Sequence, residues 1–371
     1  MTSEVVTMDP GPIGHGFPVG SDWIALHVFY SSNPNPLLVD CVGPLVEELR
    51  RRSLIARYFF IRYWQEGPHI RLRLLPASPS LAEEVERTAR EAIGRFIAER
   101  PALFEVETDQ VDEYHRDMFL VEYGEEEWER RYGEGGMPIQ PNNSCSRLPY
   151  EPEYDRYGGP AGVDLAEWHF ERSSDMVLRL LDSANVHVRT VMFGLSAQLA
   201  VVIGLSFRPT GAALARFFHY YSEFWRTAYP DPFGDHREQF DQGYDEVAGP
   251  LGERVSLISR AVLDDDRSEL AAFVGEWSEH CRDLRDRVVD LSTRGLLVFR
   301  TRGEDGTPDP EAREPIVDPD VALGILLSGY LHMTNNRLGV GVHDEAYLAH
   351  LLQRSMMDVH GVAEDDLAMV P

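Results

Sequence analysis

A chain of 371 residues, 43% hydrophobic and 10% aromatic, is long enough to bury a large core. Its 35 Lys+Arg against 62 Asp+Glu leave a formal charge of −27, and a surface that acidic repels phosphate backbones and anionic membranes. With no local basic patch to offset it, nucleic acid and membrane are excluded as partners.

The three cysteines, Cys41, Cys145 and Cys281, are odd in number and far apart. They show no CxxC spacing, so neither a disulfide framework nor a zinc site is expected, and a reduced, cytoplasmic setting fits. No metal ligand set, cofactor motif or P-loop is found: Gly133-Glu134-Gly135-Gly136 lacks the following Lys and Ser/Thr. The N-terminus has no basic or apolar signal region.

Residues 1–20, rich in Gly and Pro, read as a flexible segment, 21–362 as one domain and 363–371 as a tail. Trp23 to Tyr30 reads as a strand with Ile24, Leu26 and Val28 on one face. Asn33-Pro34-Asn35-Pro36 breaks it, and Leu37 to Arg52 has helical spacing. Ala56 to Leu75 splits into two strands around Gln65-Glu66-Gly67-Pro68. Ser80 to Glu99 is a helix, with Ser80 as N-cap and Glu83 completing a capping box.

The acidic and aromatic stretch from Glu105 to Gly133 is only loosely helical, and Gly133 to Pro149 reads as a loop. Leu148 to Tyr154 reads as extended, turning at Asp155 to Gly159 into a helix. Long apolar-periodic helices then cover 163–182, 185–206, 210–228, 236–263 and 266–293. Val191 to Phe207 is the most apolar run, but Ser196, Gln198 and Ser206 interrupt it, so a buried helix is expected and not a membrane span. Residues 301–318 read as a Pro- and acid-rich loop ending at Asp318 as N-cap, before helices over 319–339 and 343–358. The fold class is α+β: an antiparallel sheet in the N-terminal half packed with a largely helical C-terminal half, in a single domain.

The second strand of the hairpin places His69, Arg71 and Arg73 on one face and Ile70, Leu72 and Leu74 on the other. An imidazole and two guanidiniums in a row, roughly 7 Å per step, repel one another unless they face water or an anion. On pattern alone this is either an amphipathic strand pairing with the chain's surplus carboxylates or a fork that grips a carboxylate.

Three motifs carry a resemblance: FFIRYWQEGPHIRLRL (Phe59–Leu74), YEPEYDRYGGPAGVDLAEWHFERSSDMVL (Tyr150–Leu178) and LHMTNNRLGV (Leu331–Val340). In this order and spacing, with the opening strand and helix, they resemble the C-terminal domain of lantibiotic dehydratases and the freestanding proteins of thiopeptide-type bacteriocin biosynthesis. The resemblance implies an enzyme acting on a ribosomally made precursor peptide, without cofactor. In that family one domain glutamylates Ser or Thr from glutamyl-tRNA, and the C-terminal domain eliminates the glutamate to leave dehydroalanine or dehydrobutyrine. A branch with the same fold instead forms a pyridine ring by a formal [4+2] cycloaddition of two dehydroalanines.

This chain looks like a stand-alone elimination part, with a separate glutamylating subunit as expected partner. Carried over by motif, Arg71, Arg73 and Arg156 would clamp the glutamyl carboxylate, for which a planar guanidinium is suited. His332 would be the acid–base group. Arg62, His69, Asn335, Asn336 and Arg337 match motif positions as substrate-binding candidates. The expected reaction is glutamate elimination by a lyase, with the pyridine-forming cyclisation as the alternative and a non-catalytic peptide-binding scaffold as a third reading. Pro152 stands where many dehydratases have Arg, and Ser173-Ser174 where Asp-Ser is usual.

Overall fold

Strand β1 (Ile24–Phe29) is buried along its whole length, because it lies inside the sheet with both faces covered. The structure, a computed structural model, describes residues 22–104, 112–229, 236–264, 270–302 and 308–368. The expected N-terminal segment 1–20 lies outside these, as do 105–111, the first residues of the helix expected over 266–293, residues 303–307 and the last residues of the tail. The sheet has the order β2-β3-β1-β4, with β2 (Ile55–Tyr63), β3 (His69–Pro76) and β4 (Ser144–Arg147), and every pairing is antiparallel.

The period-two pattern sorts the sheet into two faces. Ile24, Leu26, Val28, Tyr58, Phe60, Ile70, Leu72 and Leu74 form one core with Leu45, Leu49, Val85 and Ile93. The last four come from α2 (Gly43–Arg51) and α3 (Ala82–Glu99). Before α2, a helical turn α1 (Asn35–Leu37) runs into a π turn at Leu38–Val42. The expected Ser80 cap is not made: a 3-10 turn at Pro79–Leu81 precedes α3, whose N-cap is Leu81 with no side-chain bond.

The opposite sheet face meets the helical half through Phe59, which joins a second core with Phe170, Val201, Phe218, Trp277, Leu326 and Leu352. That core is built from α6 (Gly159–Ser183), α7 (Arg189–Phe207), α8 (Gly211–Ala228), α9 (Arg237–Leu263), α10 (Ala272–Thr293), α11 (Pro319–Leu338) and α12 (Val342–His360). A four-residue helix, α13 (Asp365–Ala368), packs on α8. By length and composition α7 passes for a membrane span, yet 67% of its apolar window is buried inside the protein. Asp318 caps α11 as expected, its side chain accepting from the Asp320 amide at 2.9 Å.

Two expectations are corrected. The Gly133–Pro149 loop contains β4, whose polar SCSR sequence hides a strand held by backbone pairing to β1. The 301–318 loop instead holds β6 (Pro308–Pro315), paired with β5 (Val298–Arg302) in a separate two-stranded sheet. Proline and acid are tolerated there because each strand has a free edge.

That hairpin braces the turn α5 (Tyr154–Tyr157). Arg300 and Arg313 both pair with Asp155, at 2.6 and 2.8 Å. The Val298 amide bonds to the Gly158 carbonyl at 3.0 Å. Gly158 has φ 80°, and a Cβ there would sit 2.7 Å from the Phe299 ring, so both the backbone conformation and the close approach require glycine.

Candidate functional site

Cross-strand register sets the polar face of the sheet. Ala25, Arg73 and Phe59 form one row, His27, Arg71 and Ile61 the next, and Phe29, His69 and Tyr63 the third. His27, His69, Arg71 and Arg73 line a cavity of about 270 Å³ closed by residues 148–156 and by Glu122, Tyr123 and Arg131. The histidine-arginine row therefore faces a cavity, not open surface.

Within it Arg71 is fixed. Its guanidinium stacks 3.4 Å from the centre of the Tyr63 ring, while Nε donates to His69 Nε2 at 3.2 Å and Nη2 to Gln65 Oε1 at 3.3 Å. For His69 to accept at Nε2, its proton must sit on Nδ1, which donates to the Gly67 carbonyl at 2.8 Å. Burial, then the Arg71 charge, push the His69 imidazole down to about 3, so it is neutral here. His27 stacks on it at 4.9 Å and is also held neutral, by burial first and by Arg73 and Arg71 next.

Arg73 is 4% exposed, and its Nε and Nη1 have no hydrogen-bond partner among the described residues. Burial and the Arg71 charge lower its pKa, but a guanidinium keeps its proton at neutral pH. A buried cation beside a cavity thus keeps donor capacity that the described residues do not fill.

Helix α4 (Asp112–Arg131) forms the outer wall. It kinks at Gly124 (φ 80°, ψ 171°), a backbone conformation that glycine alone adopts readily, just after Glu122 and Tyr123. Tyr63 donates to Glu122 Oε1 at 3.1 Å and lies 2.6 Å from the Tyr123 hydroxyl. Arg156, on α5, pairs with Glu153 at 2.8 Å.

Glu122 and Arg156 also line a second cavity, of about 550 Å³, with Tyr63, Trp64, Phe224, Trp225, Tyr229, His332 and Asn336. The structure thus places His332 in this neighbouring cavity, apart from Arg71 and Arg73, with Glu122 and Arg156 on the shared wall. Arg71, Arg73 and Arg156 thus line one cavity, and Arg156 and His332 the adjoining one.

His332 is oriented by groups the sequence reading did not single out. Its Nδ1 lies 2.8 Å from Glu345 Oε1, and its ring packs 4.8 Å from Trp225. Glu345 is 1% exposed, and its Oε2 accepts from Asn335 Nδ2 at 3.1 Å and from the Tyr221 hydroxyl. Ser196 donates in turn to Asn335 Oδ1 at 2.6 Å. A buried carboxylate so bonded holds the Nδ1–H tautomer and leaves Nε2 as the nitrogen available to a ligand.

The remaining candidates hold the fold together around these cavities. Asn336 bonds both backbone groups of Arg62, at 3.0 and 2.8 Å, tying α11 to β2. Arg62 is committed to the Arg337 carbonyl at 2.9 Å and Asn35 Oδ1 at 2.7 Å. Arg337 is fully buried outside both cavities, bonded to Met333 O at 2.6 Å and Ser174 Oγ at 3.2 Å and lying 4.4 Å over Phe170. Reading the sequence missed His27, Tyr63, Glu122, Tyr123 and Glu345. His27 had a signal, a lone polar residue in an apolar strand. Glu122 and Glu345 stand among other acids and had none.

Among curated proteins no sequence matches the chain significantly. A pyridine synthase, TbtD, from thiomuracin biosynthesis is similar in structure, with TM-score 0.67 and 20% identity over 92% of this chain and 99% of that one. TsrL gives TM-score 0.66 and 19% identity over 94% and 98%. The tRNA dependent lantibiotic dehydratase MibB from Microbispora sp. 107891 gives 0.46 and 18% over 92% of this chain and 28% of that one. At these identities the likeness to TbtD and TsrL is one of fold. The sequence signature described as lantibiotic biosynthesis dehydratase C-term matches residues 23–356, and the chain belongs to that family.

Proposed function

We propose that this chain modifies a ribosomally made precursor peptide by the pyridine-forming route, joining two dehydroalanines in a formal [4+2] cyclisation. One observation carries this over the elimination expected from sequence: the Arg71/Arg73 pair and His332 line two adjoining cavities that share Glu122 and Arg156, so the cleft extends well past the arginines. Elimination needs the carboxylate clamp and the base within reach of one glutamyl ester. Two adjoining cavities, the larger walled by Trp64, Phe224, Trp225 and Tyr229, suit a longer peptide that presents two reacting groups. Likeness over the full length of a pyridine synthase supports the same reading.

The chemistry asked of the protein is proton transfer and positioning. One dehydroalanine with the preceding amide, in its iminol form, is the four-atom component, and the other alkene is the two-atom component. Two C–C bonds close the ring. Aromatisation then breaks two bonds: the hydroxyl on the former iminol carbon leaves as water, and the amide nitrogen on the adjacent ring carbon leaves, protonated, as a peptide amide. In this reading His332, held by Glu345 and lining the larger cavity, gives and takes those protons.

Glutamate elimination remains the second reading, favoured by the unused donors of Arg73. Incubating the protein separately with a bis-dehydroalanine peptide and with an O-glutamylated one, each followed by mass spectrometry, decides between them. The proposal expects cyclisation and release of the amide fragment from the first. Loss of glutamate from the second, with the first unchanged, overturns it in favour of elimination. Binding without change in either leaves the scaffold reading.

A further inference from the structure

Helix α4 brings a carboxylate into the cavity that holds His332. Glu122 lines both cavities, whereas Tyr63 lines the His332 cavity and Tyr123 the arginine cavity. Tyr63 has one hydroxyl proton and gives it to Glu122 at 3.1 Å, so the 2.6 Å contact between the two tyrosines has Tyr123 as donor. The resulting chain, Tyr123 to Tyr63 to Glu122, runs through the wall in one direction and ends on a carboxylate. The Tyr63 hydroxyl thereby fixes the orientation of the Glu122 carboxylate in the wall that both cavities share.

The groups around it come from every packed element. Tyr63 from β2, Arg71 of β3 stacked on Tyr63, Tyr123 and Arg131 of α4, Arg156 of α5, Glu153 before it and His332 of α11 line these cavities with it. His343 and Asp344 line the same cavity, and Asp344 is engaged by Arg189 at 2.5 Å.

We infer that Glu122 is a second proton-handling group of the reaction, with Tyr63 as its positioning residue; this rests on the pyridine-forming reading. Making the iminol moves one proton off an amide nitrogen and puts one on its carbonyl oxygen. The Glu122 carboxylate takes the first and a His332 imidazolium supplies the second, so the tautomerisation balances without another reactant. Ring closure follows, and the two groups exchange protons again as water and the amide leave.

The test uses the full chain and the bis-dehydroalanine peptide, with wild type, Glu122→Gln and Tyr63→Phe compared across pH. Glu122→Gln is expected to lower kcat about 100-fold with KM little changed, and to abolish the acidic limb of kcat/KM. Tyr63→Phe removes a bond to the charged carboxylate, so that limb should move to higher pH with a smaller loss of rate. A near-wild-type kcat with the acidic limb intact in Glu122→Gln overturns the inference, as does a change confined to KM. If Glu122→Gln does not fold, an unmoved acidic limb in Tyr63→Phe overturns it equally. A silent wild type overturns the cyclisation reading and this inference with it, whereas an active wild type with unaffected variants overturns the inference alone.

Discussion

Glu345→Gln isolates what the buried carboxylate does for His332. The side chain keeps its shape but loses its charge and one acceptor. In the wild type Oε2 takes two donors, from Asn335 and Tyr221, and Oε1 faces His332 Nδ1. In the variant the single amide oxygen satisfies those two donors, so the amide NH2 must face His332 and turn Nδ1 into an acceptor. That forces the other tautomer, with the proton on Nε2, and removes the counter-charge of an imidazolium. Charge-assisted bonds weaken by about 1 kcal/mol each on becoming neutral, and relief from burying a charge offsets part of this. The net cost to stability should be about 1–2 kcal/mol, a shift of a few degrees at most in Tm for a chain this long.

The rate should suffer far more. A histidine held in the wrong tautomer loses roughly 100-fold to 10,000-fold in kcat. Thermal melting and single-turnover mass spectrometry on the same preparation measure both quantities. A folded Glu345→Gln variant with turnover within about threefold of wild type refutes the assignment of proton transfer to His332.

Three other outcomes follow from the same geometry. Arg73→Lys should lose binding of a peptide carboxylate in calorimetry, because a point charge cannot copy the fork; unchanged Tm with unchanged binding would refute the anion role. Acid should destabilise the fold through its buried neutral histidines. His69 and His280 are each pushed down to about 3 by burial first, so the unfolded chain binds more protons and stability falls as pH drops from 6.5 toward 3. His69→Gln should lower that slope, measured by urea unfolding, by up to about 1.4 kcal/mol per pH unit. Finally, a gel shift at low salt, where electrostatic binding is strongest, should show no tRNA bound by this chain, and a shift at micromolar protein refutes the charge argument.

Periodicity was enough wherever local pattern and tertiary environment agree. The hairpin 55–76 alternates because one face meets apolar helices and the other a polar cavity. The long helices of the second half show their apolar stripes because each packs on neighbours along its length. It failed where long-range pairing stabilises an unpromising segment. Strand β4 is polar and short, and β6 is rich in proline and acid; both exist because a partner strand supplies their hydrogen bonds. The β5–β6 hairpin in turn holds Asp155 and so the turn that carries Arg156.

The candidate site divides in the same way. The chain by itself determined the arginine-histidine strand face and the helix that bears His332, because each is set by the period of one element. Only the tertiary structure decided that these line two cavities, that Arg337 is core and Arg62 a strut, and that Glu345 and Glu122 stand out among the 62 acidic residues. A carboxylate acquires a role from its partners and its burial, and those are contributed by segments far away in the chain: Tyr221 and Asn335 for Glu345, Tyr63 and Tyr123 for Glu122.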